Sequence, residues 1–137
     1  MSLFSFTGKR PENLGVKEGK LLACPSSPNC VNSQADPSDQ EHFITPIAHS
    51  GSPSEAIAKL KAIIEGMERS TIIEANDTYL WAMFTSKLMG FGDDLEFYAD
   101  PNSGVIQVRC AARLGRSDLG ANRKRVEAIR EQFQATP

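Results

Sequence analysis

The chain has 137 residues, of which 40 % are hydrophobic and 23 % charged, and a formal net charge of −2. That is ordinary globular composition, long enough to bury a real core. The acidic balance excludes a general nucleic-acid binder, which needs a broadly basic surface. No stretch approaches the roughly 20 apolar residues that a membrane-spanning helix requires.

The start, MSLFSFTGKRPENLG, has few apolar residues ahead of Gly8, Lys9 and Arg10. A secretory signal carries its charge first and then about 7–15 apolar residues. The expected location is therefore the cytoplasm or another reducing compartment. Residues 1–53 show no clean periodicity and hold Pro11, Pro25, Pro28, Pro37 and Pro46. They read as a long, loop-rich N-terminal arm, with HFITPIAH (42–49) as an edge strand.

Within the arm, KLLACPSSPNC (20–30) carries Cys24 and Cys30, six positions apart. LLAC matches a lipoprotein cleavage box, but KRPENLGVKEGK stands where its apolar segment should be. The spacing is not the C-x-x-C of a redox helix or zinc knuckle. A metal site would need Cys110, His42 or His49 as further ligands, and none is expected. A Cys24–Cys30 disulfide is sterically open but disfavoured in a reducing compartment. The favoured reading is two thiols buried where a stiff loop docks, with Cys110 nearby. A reversible thiol switch is the alternative.

SPSEAIAKLKAIIEGM (52–67) begins with a capping box, Ser52 and Glu55, and has Pro53 at the first helical position. Ala56, Leu60, Ile63, Ile64 and Met67 recur at helical spacing, so one face of this helix is core. STIIEA and TYLWAMFTS then read as strands joined at Asn76–Asp77. DDLEFYADPNSGVIQVRCAARL reads as a hairpin turning at Pro101–Gly104. Pairing Asp100 with Val105 sets Phe97 opposite Val108 and Leu95 opposite Cys110 on one face. The same register sets Glu96 opposite Arg109 and Tyr98 opposite Gln107 on the other. Asp93 and Asp94 read as turn and edge residues, and Trp81, Tyr79, Phe91 and Phe97 as core. NRKRVEAIREQFQ closes the chain as a helix with Val126, Ile129 and Phe133 inward.

The expectation is an α+β fold in a single domain, 1–137, with the arm at 1–53 and a helix–strands–helix core at 54–134. The core would be one antiparallel sheet of about four strands with two main helices on one face.

Charge concentrates in one place. Between Arg109 and Arg130 seven cations face two anions, a local +5, which leaves −7 elsewhere. RCAARLGRSDLGANRKR (109–125) links the last strand to the last helix. Ser117, Asp118 and Asn122 are capping-type residues, placing the helix start between 118 and 122. A helix N-terminus among Arg113, Arg116 and Arg123 suits a small anion or a partner protein's acidic group. The structural alternative is that Asp118 pairs with an arginine and locks the turn. Arg109 has its own such reading, an ion pair with Glu96. No nucleophile–base set, nucleophile elbow or phosphate loop emerges, and no cofactor is expected.

CPSSPNCVNSQ (24–34) together with RLGRSDLGANRKRVEAIR (113–130), with GFGDDLEF (90–97) between them, resembles the family known as domain of unknown function 1499. The resemblance runs from about Leu14 to Phe133. It implies no activity, ligand or catalytic residue. It does imply that the arm motif and the arginine turn belong to one design. The family pattern commonly has serine where Cys110 and Ala112 stand, which weakens any hydroxyl nucleophile there. The leading expectation is a non-enzymatic binding module acting through the arginine turn. The alternatives are a thiol-based redox enzyme or sensor using Cys24 and Cys30, and a structural subunit without a ligand.

Overall fold

The computed structural model describes residues 8–87 and 90–137; residues 1–7 of the start read above lie outside them. Helix α1 (Pro53–Glu65) begins as its sequence predicts. The Ser52 hydroxyl accepts from the Glu55 amide at 3.2 Å, and the Ser52 amide donates to the Glu55 carboxylate at 3.1 Å. Each satisfies a donor that the helix end leaves free. Its buried stripe is Ala56, Ile57, Leu60 and Ile64.

Strands β3 (Ser70–Ala75), β4 (Tyr79–Thr85), β5 (Gly92–Ala99) and β6 (Val105–Ala112) follow, all antiparallel. The β5–β6 hairpin has the expected register: Leu95 faces Cys110, Glu96 faces Arg109, Phe97 faces Val108 and Tyr98 faces Gln107. Gly104, at φ 68°, turns the chain where a side chain would be strained. Helix α2 (Ala121–Ala135) ends the described fold.

The sheet has six strands among the described residues, not about four. The additional two come from the arm. β1 (Cys30–Asn32) and β2 (Ile47–Ala48) pair with successive parts of β6, along the edge that β5 leaves free. β2 falls inside the segment read as an edge strand. β1 was unread because three residues cannot display a period. No helix among the described residues is long and apolar enough to cross a membrane.

Alternation along the strands separates two faces. Leu80, Ala82, Phe84, Leu95, Phe97, Val108 and Cys110 face the helices and close a core with Leu60, Ile64, Val126, Ile129 and Phe133. The opposite face carries Tyr79, Trp81, Asp94, Glu96, Arg109 and Arg113. Asp93 and Asp94 are thus not turn or edge residues. They lie buried in an interior strand and point to opposite faces, because each meets an arginine distant in sequence.

Candidate functional site

The turn between β6 and α2 uses most of its charge internally. Arg113 grips Asp94 with two hydrogen bonds of 2.8 Å, both side chains almost wholly buried. The Trp81 indole donates to the same carboxylate at 2.8 Å. Arg123 reaches back to the arm and donates to the Phe43 carbonyl at 2.9 Å, with longer bonds to the carbonyls of Gln40 and Glu41. Arg130 holds the Pro46 carbonyl at 2.8 Å in the same way. Arginine suits this work because its planar fork meets several acceptors at once.

Asp118 takes the place that an external anion was expected to fill. Its carboxylate accepts from the Gly120 amide at 2.9 Å and the Asn122 amide at 3.1 Å, where α2 begins. The Ser117 hydroxyl accepts from the Leu119 amide. Arg116 alone of the six turn residues is exposed with no partner among the described residues.

Asn122 is fully buried and serves as a junction. Its amide group donates to the Asn29 carbonyl at 3.2 Å, while its oxygen accepts from Arg125 at 2.7 Å and from the Cys110 thiol at 2.9 Å. Arg125 also pairs with Asp93 at 3.0 Å and lies over the Phe84 ring. Burial pushes the Cys110 thiol up to about 12, against the pull of Arg125, and so favours its protonated form.

Cys24 and Cys30 are joined in a disulfide, with Cα atoms 5.7 Å apart. This corrects the reading of two buried thiols. The tight Pro25–Pro28 loop brings the two ends within bonding reach, and the compartment inferred from the N-terminus had weighed against it. Nor do the three sulfurs meet. Val31 is paired with Cys110 and Cys30 with Ala111, so Cys30 and Cys110 point to opposite faces.

The loop and the turn are stitched together. Asn29 donates to the Gly115 carbonyl at 2.9 Å, and its own carbonyl accepts from the Ala112 amide at 3.0 Å besides Asn122. From the other side His42 lies 2.9 Å from the Ser27 carbonyl through Nε2 and 2.8 Å from Asp39 through Nδ1. Both neighbours are acceptors, which favours the imidazolium; the Asp39 bond first, then Ser27, raises the histidine pKa. Asn29 was not singled out in the sequence, and His42 was weighed there only as a further ligand of a metal site. For His42 the i,i+3 spacing from Asp39 was a usable signal; for Asn29 there was none.

Outside this joint, the loop lines an open groove of about 570 Å³ together with Lys20, Asn32, Gln34, Asp36, Asp39 and His42. Cys24 is half-buried on that groove, whereas Cys30 is fully buried. A second polar layer lies on the outer face of the sheet, around the Glu96–Arg109 pair that the hairpin register had set. Glu96 accepts from the Tyr79 hydroxyl at 2.5 Å and from the Gly15 amide at 2.9 Å, beside Arg109 at 3.8 Å. Burial holds the Glu96 carboxyl above its usual range.

The fold and these two motifs define a two-layer α+β protein whose arm is locked to its last strand–helix turn. The chain belongs to the family described as Protein of unknown function (DUF1499), whose model matches residues 20–133. That span contains the loop, the turn and GFGDDLEF, the segments that carried the resemblance. A comparison with curated proteins found no match.

Proposed function

We propose that the protein is a non-enzymatic binding module, and that it holds a small polar molecule in the groove beside the disulfide loop rather than at the arginine turn. The observation that carries this is the internal engagement of Arg113 and Arg123, with Asp118 occupying the α2 N-terminus. The exposed cations left in the segment, Arg116 and Lys124, are a poor anion site on their own. The groove, by contrast, has a volume typical of small-molecule sites and walls held by the disulfide and by His42. Lys20 and Asp36 offer it both charges. The disulfide also favours a compartment where it persists over the reducing one expected from the N-terminus.

Amide chemical-shift mapping against a library of small polar compounds, inorganic phosphate included, tests the proposal. Shifts clustered at 20–26 and 32–42 are the expected result. Shifts confined to 116–124, or no shift with any compound, would overturn it.

A redox reading has one observation in its favour, the unequal exposure of the two sulfurs. An external thiolate would attack Cys24 Sγ, form a mixed disulfide and expel Cys30 as thiolate. With Cys30→Ser, the Cys24 thiolate should attack a partner's disulfide, expel that partner's second sulfur as thiolate and stay joined to it, since no Cys30 is left to release it. Absence of this mixed disulfide would count against this reading.

A further inference from the structure

We infer that the outer face of the sheet is a second recognition surface, for an extended basic peptide segment of a partner protein, and that residues 8–19 cover it as an intramolecular stand-in. Trp81, Glu96 and Arg109 form a row across β4, β5 and β6, on the face away from both helices. In a two-layer fold that face ordinarily meets water, which is why it is polar. Here Glu96 and Arg109 are buried, and the strap lies against Glu96.

The cover is thin. No residue from 8 to 20 is fully buried. Among the described residues the strap meets the row at two contacts: the Gly15 amide donates to Glu96 Oε2, and the Arg10 guanidinium lies 5.9 Å from the Trp81 ring centre. In return, a carboxylate and a guanidinium are withdrawn from water incompletely paired. Glu96 Oε1 and Arg109 Nε have no hydrogen-bond partner among the described residues, and their mutual approach is only the 3.8 Å ion pair. One backbone hydrogen bond and one cation–π contact are a small return for that desolvation. Such a segment opens at low cost. It also lies ahead of the matched span, 20–133, whereas Trp81, Glu96 and Arg109 lie inside it.

The strap's own contacts define the occupant. A cationic side chain stacks on Trp81, and a main-chain N–H reaches Glu96. The two atoms it leaves unpartnered are one acceptor and one donor, the complement of a peptide amide. A segment seated slightly deeper would satisfy both, which a lone cation would not.

The test uses the full chain carrying Gly15→Pro. Proline removes the donated N–H and cannot adopt the φ of +113° at this position, so the strap should lift while the row stays intact. The probe is a synthetic peptide of residues 8–19, GKRPENLGVKEG, followed by fluorescence of Trp81, the only tryptophan. The expected result is at least tenfold tighter binding to folded Gly15→Pro than to the unaltered protein, and a tenfold loss when the peptide's arginine becomes alanine. Equal or absent binding to folded Gly15→Pro would overturn the inference. Strap-exchanged dimers of that variant in gel filtration would overturn the assignment to a partner protein. Should the variant not fold, hydrogen exchange of the unaltered protein decides. A Gly15 amide exchanging at least 100-fold faster than the β5 amides supports a displaceable strap; exchange at the β5 rate overturns it.

Discussion

The arginine turn and the disulfide loop are the two densest polar stretches of the chain, and they spend their polar groups differently. In the turn, Arg113 closes on Asp94, Arg123 on arm carbonyls and Asp118 on the backbone of α2. In the loop, Ser27 and Asn29 are bonded inward while Cys24, Pro25 and Ser26 line an open groove. A local excess of cations therefore does not mark a ligand site by itself. What decides is whether carboxylates and bare carbonyls lie within reach, and a proline-rich arm supplies many bare carbonyls.

The comparison can be broken by substitution. Arg113→Ala strands a buried carboxylate, and breaking such a pair costs about 3–5 kcal/mol; urea unfolding should show it. A small change there would mean the turn is not braced as described. Asn122→Ala removes the acceptor of Arg125 and Cys110 and the donor to Asn29, with an expected loss of about 2–3 kcal/mol for buried groups left unpaired.

The His42 clamp is sharpened by pH. Its folded pKa is raised above the ordinary 6.5, first by the Asp39 hydrogen bond. The protonated form is thus favoured by folding, and its contribution is complete below 6.5. Stability should then fall as pH climbs from 6.5 through the raised value. Unfolding of His42→Gln should lack that slope. The smallest effect belongs to Arg116→Ala, an exposed side chain outside every network, expected to stay within about 0.5 kcal/mol.

What the sequence made legible follows from local physics. Ser52, Pro53 and Glu55 specify the start of α1 within four residues, and the Pro101–Gly104 turn sets the β5–β6 register. Those signals are short-range. Asp93 and Asp94 were misread because adjacent aspartates before a strand look like turn residues, and Asp94's partner Arg113 stands 19 residues along. β1 and β2 exist only because β6 offers an edge, and strands of three and two residues carry no period of their own. The disulfide was allowed by spacing and set aside on compartment alone. The loop and the turn were expected to belong together, but the residue that joins them, Asn29, carries no signature.

The central claim is that the turn braces the loop as one unit. A double-mutant cycle tests it most directly, between Asn29→Ala, which removes the side-chain bond to the Gly115 carbonyl, and Asn122→Ala, which removes the bond to the Asn29 main-chain carbonyl, two separate ties across one joint. If the joint is real, the paired variant loses less stability than the sum of the single losses, by about 1 kcal/mol. Losses that add to within about 0.3 kcal/mol would contradict it, and would leave the loop and the turn as independent features of one fold.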